Sequence, residues 1–99
     1  MYYVYMLRCV NNSIYTGITT DVERRFKEHI RGVGAKYTKV NKVTKIEKVF
    51  VVQNVSEALK VEREIKKLPK LTKEKLIMES DFFIEKLKEK RNIEIFLIK

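Results

Sequence analysis

YYVYMLRCVNNSIYTGI, residues 2–18, decides the fold: two runs rich in Tyr, Val and Ile flank Asn11-Asn12-Ser13, a cluster with turn chemistry. The pattern predicts a β-hairpin with strands over 2–10 and 14–18. Tyr5 and Tyr15 lie on its two halves, and register decides whether they meet. A two-residue Asn11-Asn12 loop opposes Val10 to Ser13 and sends the phenols to opposite faces. An odd loop such as Asn11 to Ser13 opposes Val10 to Ile14 and puts both on one face. Ordinary β propensity accounts for such tyrosines, so a shared site requires the odd loop or a bulge.

Next along the chain, Thr20 and Glu23 have the spacing of a capping box, and Val22, Phe26 and Ile30 repeat every four residues. A helix is expected from about Asp21 to Arg31, ended by Gly32 and Gly34. Its apolar stripe spans roughly 80°, at 100° per residue, with Arg25 and His29 stacked along the border. A border guanidinium stays hydrated yet can clamp a phosphate; snorkelling over the core is the ordinary alternative. Ala35 to Lys45 reads as a basic loop whose Tyr37 and Thr38 could meet a ligand.

A strand over Ile46–Val52 follows, and Ser56 is the expected N-cap of a helix that ends near Leu68, before Pro69. Ala58, Leu59, Val61, Ile65 and Leu68 form its apolar face, and Glu62 projects between Ala58 and Leu59. A carboxylate aimed at a core requires a partner. A cation such as Arg25 or Arg8 would serve, and so would a divalent metal; both stay open. Thr72 starts a short third helix, Asp81–Arg91 reads as a fourth, and Ile93–Ile98 as a possible strand. The order ββαβαα, with a C-terminal helix and possible extra strand, implies an α+β domain: a three-stranded antiparallel sheet flanked by helices. Residues 1–80 form the main domain, and 81–99 an extension packed on it.

Ninety-nine residues, 44% of them hydrophobic, suit one domain. The lone cysteine, Cys9, cannot form an internal bridge, and no apolar run approaches the ~20 residues of a bilayer span, so the reading is cytoplasmic with no membrane partner. A net charge of +9 favours polyanions, with nucleic acid foremost. A Lys/Glu-rich composition gives the same balance, so charge alone does not settle function. Phe82, Phe83, Ile95 and Phe96 need cover from the core or from a second copy, which leaves a monomer or weak homodimer.

Tyr3-Val4-Tyr5, Tyr15-Thr16-Gly17, Arg25 eight residues later, His29 one turn on and Glu62 on a following helix together resemble the GIY-YIG nuclease family. GITTDVERRFKEH (17–29), GAKYT (34–38) and EALKVEREIKKL (57–68) look most like its small stand-alone members. The resemblance implies one divalent ion, Mg2+ or Mn2+, held by Glu62 as sole protein ligand. It implies hydrolysis of phosphodiester bonds in DNA, favoured over RNA, by a structure-selective or non-specific endonuclease. Tyr15 or Tyr5 would position or deprotonate water, Arg25 would stabilise the phosphorane, and His29 would orient the site or relay a proton. Gly17, Lys36, Tyr37, Thr38, Lys39, Lys73 and Lys75 would contact the substrate. The alternative is a non-catalytic nucleic-acid-binding module on the same scaffold. Tyr3 stands where the family name has Gly. Leu71-Thr72-Lys73-Glu74-Lys75 lacks the asparagine that several family nucleases place near the phosphate.

Overall fold

The computed structural model describes residues 1–98. Strands β1 (Tyr2–Cys9) and β2 (Ile14–Thr19) pair antiparallel, with Tyr5 opposite Gly17 and Leu7 opposite Tyr15. The loop is odd, but it is Val10–Asn12, one residue earlier than the Asn11–Ser13 frame. Asn12 takes a left-handed conformation at φ 68, which asparagine tolerates, and the Asn11 carboxamide accepts from Ser13 N–H at 3.1 Å. Val10 is therefore left in the loop and exposed.

Helix α1 (Val22–Ile30) is capped by Asp21, whose carboxylate accepts from Arg24 N–H at 3.1 Å. Thr20, the expected cap, stays outside the helix, so the cap lies one residue later. The span expected as a loop contains a short helix, α2 (Lys36–Val40). Strand β3 (Val43–Val52) begins three residues before the expected Ile46. Helix α3 (Val55–Lys66) is capped by Asn54, not Ser56: Asn54 accepts from Glu57 N–H at 2.9 Å, and the Glu57 carboxylate accepts from Gln53 N–H. Helices α4 (Lys70–Met78) and α5 (Asp81–Arg91) follow, and β4 (Phe96–Leu97) closes the element order. The sheet is antiparallel and four-stranded, ordered β2-β1-β3-β4, which makes β2 and the two-residue β4 its edges.

Alternation along β1 splits the molecule into two layers around the sheet. Val4 and Met6, with Phe50 and Val52, pack beneath Ala58, Val61, Ile65, Leu76, Phe83 and Leu87 of α3 to α5, joined by Ile93 and Ile95. Tyr5, Leu7, Cys9, Val43 and Val49 face the other way, against Tyr15 and α1's Val22 and Phe26. Phe83 and Ile95 thus find cover within the chain, whereas Phe96 stays exposed. Leu59, expected on the apolar face of α3, is exposed as well; the buried stripe there is Ala58, Val61 and Ile65.

Arg8 ties three elements together. Its guanidinium pairs with Glu47 of β3 at 2.8 Å and Glu74 of α4 at 2.6 Å, and donates to Asn12 O in the hairpin loop at 3.2 Å. Lys70 Nζ donates to the same carbonyl at 2.6 Å. The start of α4 is thereby pinned beside the hairpin.

Candidate active site

The β1–β2 register places Tyr5 and Tyr15 on one face, with ring centroids 6.3 Å apart. Gly17 lies directly across from Tyr5, and a Cβ there would fall 2.5 Å from the Tyr5 hydroxyl. The missing side chain is what lets the phenol extend over β2 toward the edge of the sheet.

The core-facing stripe of α1 is rotated from the one that its apolar residues suggest. Ile30 is 52% exposed, and His29, one residue earlier, is 1% exposed. The cost of burying an imidazole is offset by two hydrogen bonds: Nε2 lies 2.8 Å from the Tyr5 hydroxyl, and Nδ1 2.6 Å from Thr38 Oγ1. Thr38 donates its one hydroxyl proton to Ala35 O at 3.0 Å, so it must accept from Nδ1–H. Nε2 of the neutral ring is then bare and accepts from Tyr5. Burial, assisted by the Arg25 charge, lowers the His29 pKa and favours this neutral form. Gly34 backs the ring closely, since a Cβ there would meet Nδ1 at 2.6 Å.

Arg25 is held by Glu28 at 3.0 Å, and its charge acts on the Tyr5 phenol. Burial chiefly, then the neighbouring Tyr15, pushes the Tyr5 pKa up to about 12; Arg25 opposes the rise and the Glu62 charge adds to it. Glu62 thus acts on Tyr5 electrically although α3 packs on the opposite face of the sheet. The Glu62 side chain is 19% exposed and pairs with Lys66 at 3.3 Å. Neither Arg25 nor Arg8, the two cations considered for it, is its ion-pair partner: Arg25 is engaged by Glu28 and Arg8 by Glu47 and Glu74.

An open cleft of about 520 Å³ straddles β2, lined by Ser13, Ile14, Tyr15, Thr16, Tyr37, Lys66, Lys70 and Lys73. Tyr37 stacks on Tyr15 at 6.0 Å, and its hydroxyl donates to Ser13 Oγ at 2.6 Å. The structure therefore gathers Tyr5, Tyr15, Arg25 and His29 around Gly17, with Glu62 in electrostatic reach and Tyr37 and Lys73 on the cleft wall. Thr38 is a correction: it is buried and bound to His29, so it braces the imidazole and has no surface to offer a substrate. Lys36 and Lys39 are exposed on α2 outside the cleft lining, and the Lys75 ammonium lies over the Phe82 ring at 5.0 Å.

Glu28, Gly34, Ser13, Lys66 and Lys70 enter the site without having been expected there. The two lysines carried a signal, because Glu62, Lys66, Lys70 and Lys73 step by four, four and three residues and mark one helical side across the Pro69 break. The bracing roles of Thr38 and Gly34 depend on tertiary contacts and have no local signature.

Residues 1–75 match the GIY-YIG catalytic domain. A UPF0213 protein of Fusobacterium nucleatum is 49% identical over 94 residues, covering 95% of this chain and 94% of its own length. The UPF0213 protein YhbQ of Escherichia coli is 39% identical over the same length of chain, with the same coverage. A solution NMR structure of a UPF0213 protein from Bacillus halodurans superposes with a TM-score of 0.52 at 42% identity, covering 79% of this chain and 84% of that one. The paired tyrosines across Gly17, the arginine and histidine of α1 and the glutamate of α3 all lie within the matched span, and the chain belongs to the GIY-YIG family, alongside the small UPF0213 proteins.

Proposed function

We propose that this protein is a divalent-metal-dependent endonuclease acting on DNA in a structure-selective or non-specific way. The observation that supports it is the Tyr5–His29 hydrogen bond beside a cleft walled by lysines and tyrosines, with Arg25 and Glu62 near enough for their charges to bear on the Tyr5 phenol.

Among the described residues no group of three or more His, Cys, Asp or Glu could hold a metal. A closed zinc-type cage does not fit such a site. A hard cation that keeps most of its water and shares substrate phosphate oxygens does fit a lone carboxylate, and Glu62 would hold it. Bound there, Mg2+ or Mn2+ would supply Lewis-acid stabilisation of phosphate oxygens.

The rest of the chemistry falls to this chain. A phenol with a pKa near 12 is not a free phenolate at neutral pH. Tyr5 serves as a base only if its own proton moves on, and bare Nε2 of His29, 2.8 Å away, is where it goes. Water passes a proton to the Tyr5 oxygen as the Tyr5 proton passes to His29, and the Nδ1–H bond to Thr38 steadies the imidazolium. Arg25, fixed by Glu28, offsets the charge that grows on the phosphorane. Tyr15, on the cleft wall and 5.2 Å from His29 between ring centroids, confines the attacking water. Lys73 stands in for the absent asparagine as a phosphate contact.

Cleavage of labelled branched, single-stranded and duplex DNA with Mg2+ or Mn2+ tests this reading. Wild type should cut, and Glu62→Gln and Arg25→Ala should lose cutting while retaining binding. A wild type that binds but cuts with neither ion overturns catalysis and leaves the binding module.

A further inference from the structure

Tyr37 has no part in the proton path, yet it is held as firmly as if it did. It is the most exposed of the tyrosines, at 41%. An exposed aromatic ordinarily keeps its rotamer freedom. This one is fixed at both ends: its hydroxyl is bonded to Ser13 at 2.6 Å and its ring rests on Tyr15, tilted by 21°. A ring immobilised before binding loses little entropy when a ligand stacks on it.

Two further observations mark the same cleft. Lys73 makes no ion pair among the described residues, and the ammoniums of Lys66 and Lys70, about half exposed, are paired with the partly buried Glu62 and Glu74 of their own helices, where they remain within reach of a phosphate. Thr16, 3% exposed, lines the cleft with a buried Oγ1 that has no hydrogen-bond partner. An orphaned buried hydroxyl is satisfied when a ligand supplies the missing partner.

In a duplex each base face is covered by its neighbours in the stack, so only an unpaired base can offer one to Tyr37. We infer that the cleft receives an unpaired DNA strand, with one base stacked on Tyr37 and the flanking phosphates on Lys66, Lys70 and Lys73. This rests on the nuclease reading for the reason a strand is there, but its test does not require cleavage.

The test is fluorescence anisotropy with a labelled oligonucleotide of about 12 nucleotides, single-stranded or annealed to its complement, in EDTA with the full chain. Tyr37→Leu, which fills space without a π face, should weaken single-strand binding about five- to hundredfold and change duplex binding less than about twofold. Tyr37→Phe, which keeps the ring, should stay within about threefold of wild type on the single strand. Lys73→Ala should lower the salt slope for the single strand by about 0.7. Equal losses on both probes, no loss in Tyr37→Leu, or a Phe variant as weak as Leu overturns the inference. If Tyr37→Leu keeps its grip while wild type cuts, the inference falls and the nuclease stands. If the strand is held through Tyr37 but never cut, the reverse holds.

Discussion

Replacing Gly17 with alanine tests the packing on which the whole site depends. The new Cβ would lie 2.5 Å from the Tyr5 hydroxyl, 2.7 Å from its Cζ and 3.1 Å from Tyr15 Cε2. Ordinary carbon contacts need about 3.5 Å, so the phenol must retreat by about 1 Å. No space exists for that, because the ring is buried and its hydroxyl already rests on His29, which is backed by Gly34 and Thr38. Gly17 is not among the residues of positive φ, so the penalty is steric, not torsional. Overpacking of about 1–3 kcal/mol and a broken buried hydrogen bond of about 1–3 kcal/mol give a loss of about 2–6 kcal/mol. With an m-value of about 2 kcal/mol/M, the urea midpoint followed by circular dichroism should fall by about 1–3 M. Misplacing the phenol by ~1 Å should also cost about a hundredfold in cleavage rate. In a Tyr5→Phe background the nearest clash disappears, so the double variant should be more stable than the sum of the two single effects. A midpoint within about 0.25 M of wild type, or strict additivity, would refute the reasoning.

Three more outcomes follow from the same geometry. His29 is the only histidine, and its folded pKa is lowered, so the stability it supports is present above the unfolded value of 6.5 and fades as pH falls below it; wild type should lose unfolding free energy between pH 7 and 5.5, and His29→Gln should flatten that slope. Tyr5, pushed up to about 12, contributes in the opposite sense: its share is intact below pH 10 and lost as pH rises toward 12, so absorbance titration should show a late-ionising phenol that is missing in Tyr5→Phe. Arg8→Met strands the nearly buried Glu47 and the partly buried Glu74, whose pKa of about 2 rests first on the Arg8 hydrogen bond. It should lower stability at pH 7 by about 2–3 kcal/mol, and Glu74→Gln in the same chain should restore part of it in a thermal melt.

The hairpin and the bounds of α5 were legible because each follows from local alternation or terminal residues. The turn of α1 was not. Local hydrophobicity ranks Ile30 above His29, and only a phenol 24 residues away makes the imidazole the cheaper residue to bury. For the same reason α2 escaped notice: it has no side-chain cap and two of its five residues are lysine, yet Thr38 is held there by the histidine. The caps shifted because nearby residues, Thr20 and Asp21 or Asn54 and Ser56, all have capping chemistry, and helix ends move by one or two residues at little cost. Glu62 was expected to be the one inward carboxylate of α3, but its side chain, 19% exposed, is no more buried than that of Glu64, at 17%, and its partner is the lysine one turn along.

The two layers of the site meet only at β2. The proton path is built into the packed layer of Tyr5, His29 and Thr38, where almost any substitution disturbs the fold. The lysines that would grip a strand stand on helix surfaces across the sheet, where substitution is cheap. Such a division would let the lysine surface drift through neutral change while the packed layer stays frozen, so related chains that share the Tyr5–His29–Thr38 arrangement can part ways in what they hold without rebuilding it.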